Sequence, residues 1–315
     1  MPGDLLDDLL QGRSVVVLDG GLGTELERQG ADLGDRLWSA RLLADDPEAI
    51  IAVHLAYFRA GAQVATTASY QATFEGFAAG GISEPDAAGL MRRSVELALE
   101  ARRRYRLESG TERTLLVAAS IGPYGAMLAD GSEYRGDYRL DLAELSDFHR
   151  ARLHVLAGTG ADLLALETIP SLIEAQALVE LLADLPEARA WLSFSCADGG
   201  RLRRGDPIEA AVDLADAAPG VVAVGINCTE PPHVAELVGR IARRTAKPIV
   251  VYPNGGERWN AGRRAWTGPV AELAPADIAA WIAAGARLVG GCCRVGPGTI
   301  ATIAAIAAGG PHSGA

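Results

Sequence analysis

The chain has 315 residues, of which 49% are hydrophobic and 22% charged. That balance is globular, and the length suits either two ordinary domains or one large barrel. The net charge of −11 sets nucleic acid and anionic membranes aside as partners, because both need a basic face.

The first residues, Met1-Pro-Gly-Asp, lack the basic and apolar regions of a signal peptide. Near the end, the apolar heart of the longest uncharged stretch runs only from Thr299 to Ala308. A membrane span needs ~20 such residues. No membrane partner is therefore expected, and the location expected is cytoplasmic.

From the N-terminus onward, short apolar runs alternate with longer helical patterns. The strands are predicted at Val15–Leu18, Gln63–Thr67, Leu115–Ala119, Leu163–Leu166, Trp191–Phe194, Val221–Gly225, Ile249–Tyr252 and Arg287–Gly290. Several are apolar at every position, as strands covered on both faces are. Helices are predicted at Pro47–Ala60, Asp86–Glu108, Asp141–Gly158, Leu172–Ala183, Pro207–Ala217, Pro232–Arg244, Pro275–Ala284 and Pro297–Ala307. Proline near several starts and glycine after several ends fit helix boundaries. Small residues with glycine precede the strands at Ala60-Gly-Ala, Gly158-Thr-Gly-Ala and Ala284-Gly-Ala, as they do in αβ connections.

Eight βα units in one chain predict an α/β fold, a single-domain (β/α)8 TIM barrel; an open doubly wound sheet is the alternative. The barrel is expected over residues 14–308. Residues 1–13 are expected to add a helix at its bottom, and 309–315 to form a disordered tail. Residues 123–140 read as a long polar loop after the third strand.

A barrel carries its site at the C-terminal ends of its strands. Those ends read Asp19-Gly20-Gly21, Thr66 to Tyr70, Ser120 to Tyr124, Glu167-Thr168, Ser195-Cys196, Asn227-Cys228, Pro253 to Gly255 and Gly290 to Cys293. The polar residues that interrupt the apolar pattern thus gather at one rim.

Cys228 ends the sixth strand, and Cys292 and Cys293 end the eighth. One intervening strand separates those two, so three thiolates can converge on one ion. Sulfur ligands favour zinc, and three protein ligands leave a position open for substrate. Gly290 and Gly291 let the backbone approach closely enough for both neighbouring sulfurs to reach the metal. Buried cysteines of no consequence are the plain alternative. Disulfides are not expected in a reducing compartment. His233 is a rival fourth ligand, and Cys196 a small rim neighbour.

Glu167 ends an apolar strand, where an unpaired acid would be costly. Asp19 is either a second rim acid or the N-cap of the first helix. Both acids share the rim with the Gly20 and Gly21 amides and the Thr67 hydroxyl. Asn227 can orient the thiolates or the substrate. Gly21-Leu-Gly23 lacks the third glycine of a dinucleotide fingerprint, which leaves a tight turn.

The segments Asp19-Gly-Gly-Leu-Gly-Thr-Glu-Leu, Leu37-Trp-Ser-Ala, Thr66-Thr-Ala-Ser-Tyr-Gln-Ala-Thr, Ser120-Ile-Gly-Pro-Tyr-Gly and Asp130-Gly-Ser-Glu-Tyr-Arg-Gly-Asp-Tyr carry a family resemblance. So do Leu166-Glu-Thr-Ile-Pro, Gly225-Ile-Asn-Cys-Thr, Val251-Tyr-Pro-Asn-Gly-Gly-Glu and Gly290-Gly-Cys-Cys-Arg. The chain resembles the homocysteine S-methyltransferase family, and in particular the bacterial type that uses S-methylmethionine or S-adenosylmethionine. The resemblance implies zinc (Zn2+) on Cys228, Cys292 and Cys293, homocysteine as acceptor, and amino-acid contacts from Asp19 and Glu167.

Zinc would turn the homocysteine thiol into the thiolate that attacks. A centre of net negative charge suits a sulfonium donor. The full match over Asp130–Tyr138 leans towards S-methylmethionine. The length holds no cobalamin or folate domain, and betaine users usually carry extra sequence. Trp38, Tyr70, Tyr124, Tyr134 and Tyr138 lie near the rim or its loops and serve either cation–π contact with the donor or ordinary core and loop packing. A non-catalytic zinc or thiol-redox module on a barrel is the competing class.

Overall fold

The computed structural model describes residues 5–11, 15–31, 38–256, 258–260, 265–267 and 273–309. Eight parallel strands form one sheet in the order β1 (Val16–Val17), β10 (Ala286–Val289), β7 (Ile249–Tyr252), β6 (Val221–Asn227), β5 (Ala190–Phe194), β4 (Leu163–Ile169), β3 (Leu116–Ile121) and β2 (Val64–Thr66). A parallel bridge between Leu18 and Val64 joins the two ends, so the sheet closes into a barrel. The Gln63 amide donates to Val17 O at 2.7 Å, and the Val17 amide donates to Gln63 Oε1 at 3.3 Å, along the same seam. The doubly wound alternative is set aside by that closure.

Two cores follow from the alternation of side chains along the strands. Val16, Leu18, Val64, Leu116, Ala118, Leu163, Ala165, Trp191, Ala223, Val250, Tyr252 and Leu288 fill the barrel. Leu6 and Leu9 of the short helix α1 (Leu5–Leu10) belong to the same cluster and close it from below. The other strand face packs against the helices. Burying an aliphatic or aromatic side chain of this kind contributes about 1.5–3 kcal/mol.

The eight predicted helices are present, with boundaries moved by their caps. Ser83 caps α6 (Glu84–Ser109), and Gly110 ends it with φ +63°. Asp141 and Glu144 form a capping box at the start of α8 (Leu142–Ala157). Ser171 caps α9 (Leu172–Ala183).

Several elements add to the prediction. The helices α2 (Leu22–Arg28), α3 (Trp38–Asp45), α5 (Phe74–Ala79) and α7 (Tyr124–Leu128) are short, and an antiparallel pair, β8 (Arg258–Asn260) and β9 (Ala265–Thr267), follows β7. Residues 123–140 are therefore not a plain loop: α7 and a 3-10 turn at Ser132–Tyr134 lie within them. Residues 310–315, Leu37 and Glu257 fall outside the described residues.

Candidate active site and metal centre

The two cysteine segments meet at the end of β7. The Cys228 amide donates to Tyr252 O at 3.2 Å, the Cys292 amide to Pro253 O at 2.7 Å, and the Gly255 amide to Cys293 O at 2.9 Å. The strand order β6–β7–β10 makes β7 the intervening strand, as expected from the sequence. The sulfurs of Cys228, Cys292 and Cys293 all lie within 4.8 Å of one another. That is a spacing from which one metal ion could be held, and a three-sulfur donor set suits a soft ion. Among the described residues His233 is not part of this group, and neither is Cys196, which is buried on its own.

One expectation is overturned. Cys228 and Cys292 are joined as a disulfide, with Cα atoms 5.6 Å apart. The reason is geometric: sulfurs brought within reach of one ion are also within reach of one another.

Close backbone contact explains both glycines before the cysteines. A Cβ on Gly290 would lie 2.6 Å from Asp19 O, and one on Gly291 would lie 2.0 Å from Val295 Cγ1. Neither glycine has positive φ. Beside the sulfurs and Glu167, left-handed backbone is carried by three residues that are not glycine, Cys228 (φ +45°), Arg294 (φ +68°) and Thr168 (φ +62°). Such backbone costs of order 1–3 kcal/mol per residue and tends to gather at functional sites.

Asp19 and Glu167 flank this centre. Asp19 is buried, and its carboxylate accepts from the Thr66 amide at 2.6 Å and the Thr66 hydroxyl at 2.9 Å. It is not a helix cap: the N-cap of α2 is Gly21, with no side-chain bond. Burial pushes the Asp19 carboxyl up to about 8. Glu167 sits in a bulge of β4, where the pairing with β5 shifts between Leu166 and Ile169. It accepts from the Ser120 hydroxyl and is also bonded to Tyr252. Burial pushes it up to about 7.

Other predicted residues are partly committed. The Thr67 hydroxyl accepts from the Ser120 amide at 3.0 Å and pairs with the Ser69 hydroxyl at 2.7 Å. The Gly21 amide donates to Val295 O at 3.0 Å. A Cβ on Gly20 would lie 2.3 Å from Val295 O, so this turn also packs close to the cysteine segment. Asn227 links Thr168, the neighbour of Glu167 in sequence, to the sulfur centre. Its Oδ1 accepts from the Thr168 amide at 2.7 Å and the Ser193 hydroxyl at 2.9 Å, while Nδ2 donates to Thr168 Oγ1 at 2.7 Å and points at Cys292 Sγ, 4.0 Å away.

Three residues escape sequence reasoning. The Tyr252 hydroxyl accepts from Trp191 Nε1 at 2.9 Å and pairs with Ser193 Oγ at 2.6 Å. The only signal for Tyr252 and Ser193 is a polar group inside an otherwise apolar strand. The third is Glu133, in the 3-10 turn over the rim, described further below. Beside it, the Tyr134 hydroxyl bonds the Cys293 thiol, and the Arg203 guanidinium lies 5.5 Å from the Tyr134 ring centre. Tyr70 bonds Thr168 from the other side.

Fold and rim together define a (β/α)8-barrel enzyme with a sulfur centre able to hold a metal. A profile of the homocysteine S-methyltransferase family matches residues 16–307. The homocysteine S-methyltransferase YbgG of Bacillus subtilis is 48% identical over 304 residues, covering 95% of this chain and 96% of its own. That of Escherichia coli is 49% identical over 299 residues, covering 94% and 96%. The crystal structure of the E. coli homocysteine methyltransferase MmuM in its metallated form superposes with a TM-score of 0.88 at 47% identity, covering 96% of this chain and 99% of that one. The chain belongs to the homocysteine S-methyltransferase family, and it is an enzyme of that activity. A non-catalytic zinc or redox module is thereby set aside. Among the described residues, no helix is long and apolar enough to cross a membrane.

Proposed function

We propose that the protein is a zinc-dependent homocysteine S-methyltransferase that draws its methyl group from a sulfonium donor, S-methylmethionine or S-adenosylmethionine. The observation that carries this is the convergence of three sulfurs within 4.8 Å on the rim that also holds Asp19 and Glu167.

Once a thiol or phosphine reductant has supplied two electrons and cleaved the Cys228–Cys292 bond to two thiols, Cys228, Cys292 and Cys293 would hold the zinc, which when bound would lower the pKa of the acceptor thiol and favour its thiolate. The remaining chemistry belongs to the chain. Glu167 pairs with the acceptor ammonium and is held for it by Ser120 and Tyr252. Asp19 supports the same end while locked to Thr66. Gly20, Gly21 and Thr67 border the place for the carboxylate. Asn227 keeps Thr168 and Cys292 in register. The methyl group moves without electrons from the donor sulfur to the acceptor sulfur. The broken C–S pair stays on the donor sulfur, which becomes a neutral thioether; a lone pair of the acceptor thiolate forms the new bond, the thiol proton having passed to solvent on binding. The product is methionine.

Zinc-loaded protein incubated with homocysteine and either donor should form methionine. No methionine with either donor, while zinc is bound, would end this reading. A Cys292→Ser variant should lose stoichiometric zinc by metal analysis; retention of both zinc and activity would remove Cys292 from the ligand set.

A further inference from the structure

The turn Ser132–Tyr134 is held rigidly over the sulfur centre. The Ser132 amide donates to Asp130 Oδ1 at 2.9 Å, Arg135 Nη2 donates to Ser132 Oγ at 2.7 Å, and the Tyr134 amide donates to Gly131 O at 3.1 Å. Gly125 of α7 lies so close that its Cβ would be 2.4 Å from the Glu133 amide nitrogen. Tyr134 is thereby placed against Cys293.

The Glu133 carboxyl bonds its own backbone amide, and burial pushes it up to about 7. Its Oε2 is buried and accepts no hydrogen bond. A buried acceptor left unsatisfied is costly, more so when charged, so it calls for an explanation. The nearby arginines form their ion pairs elsewhere, with Arg135 near enough to favour the Glu133 charge without bonding it. Arg135 pairs with Asp130 and Asp137, at 3.8 and 3.4 Å, and Arg203 pairs with Glu230 at 3.2 Å. The Glu133 carboxylate is close enough to repel charge on Cys293, Tyr70 and Tyr134. It therefore sits at the reacting end of the site, where an acceptor sulfur would lie.

Resting on the sulfonium-donor reading above, we propose that Glu133, framed by Tyr70 and Tyr134, receives the positively charged sulfur of the methyl donor and so selects sulfonium donors over neutral thioethers. A reacting methyl must come within roughly 3–3.5 Å of its nucleophile. The donor charge nearest the sulfur centre is then the sulfonium, not the distant ammonium. The attraction is strongest before transfer and vanishes with the positive charge, when the donor becomes a neutral thioether. Glu133 thus acts on donor binding and on product release rather than on the transfer step.

Glu133→Gln removes the charge and keeps the shape. Titration calorimetry on the zinc-loaded enzyme, with S-methylmethionine or methionine as ligand, reads the effect. The variant should bind S-methylmethionine roughly tenfold more weakly, as expected for a lost charge-assisted contact. Methionine and homocysteine affinities should hold within about twofold, on the same principle. The donor KM should rise while kcat does not fall, and Glu133→Asp should restore part of the binding. Equal losses for S-methylmethionine and methionine would overturn the proposal, because they mark an ammonium contact or a structural role. Unchanged S-methylmethionine binding by Glu133→Gln would overturn it too. If wild-type enzyme forms no methionine from either donor, the sulfonium reading itself falls and takes this inference with it; wild-type activity with an indifferent Glu133→Gln sinks the inference alone.

Discussion

Glu167 is asked both to stay buried and to carry charge. Its site desolvates it and pushes its carboxyl up to about 7, while Ser120 and Tyr252 supply the hydrogen bonds that moderate the cost. As the proposed partner of the acceptor ammonium it must be ionised, so lowering the pH through 7 neutralises it and weakens that pairing. The homocysteine KM should rise as the pH falls from 8 to 6, and Glu167→Gln should raise it at least about tenfold and flatten the profile. A pH-independent KM in the wild type would contradict the role. Asp19 and Glu167 were visible in the sequence because an acid that interrupts an apolar strand stands out. Ser193 and Tyr252 did not stand out, because a hydroxyl in a strand has many ordinary uses. Nor did Glu133: one acid among the charges of 130–137 looks like any solvated loop residue until its packing is seen.

At the scale of elements, the turn from β10 into the cysteines is the most constrained. Cβ atoms cannot be added at Gly290 or Gly291 without moving Asp19 O or Val295. Gly291→Ala should destabilise the fold by about 1–3 kcal/mol through overpacking. It should also spread the sulfurs and weaken metal binding. Because the clash is with Val295 Cβ, 2.3 Å away, as well as with its two γ-carbons, Gly291→Ala combined with Val295→Gly should recover much of the metal affinity, as read by competition with a chromophoric chelator. No recovery would place the constraint in the backbone instead. The long helices were legible from period and caps. The helices α2, α5 and α7 were not, since five to seven residues offer too little periodicity to read. The pair β8–β9 joins two three-residue strands, each centred on a tryptophan, which alternation alone could not flag.

Over the whole molecule, the barrel was legible because the βα unit recurs, each strand apolar at nearly every position and each helix closed by small residues and glycine. Closure itself was not: it rests on Leu18, Val64 and Gln63, which sit in strands too short to announce their neighbours. Burial on this scale also sets how stability depends on pH. Asp19 at about 8, with Glu167 and Glu174 at about 7, all lie above their ordinary values. Acids raised in this way hold protons more tightly when folded. Their contribution is full below the unfolded value and is lost as pH rises through the folded one. His54 and His149 act oppositely, through burial that lowers them, and their effect is complete only about one unit above the ordinary 6.5. Between pH 6.5 and 8 the raised acids outweigh the closing half of the two histidine titrations, so the thermal midpoint of the metal-free protein should fall. Glu174→Gln, remote from the rim acids, should reduce that slope; a midpoint that rises with pH would refute the assignment.

The two bonds from Asp19 to Thr66 cross the seam where the first and second strands complete the cylinder. The acid proposed to greet the substrate is thus also a clasp on the scaffold. Deleting it injures the architecture and the chemistry together, and a dead Asp19→Ala enzyme would be a confounded result. The two duties come apart only in a double-mutant cycle with Thr66, where any loss that survives without the clasp belongs to the ligand.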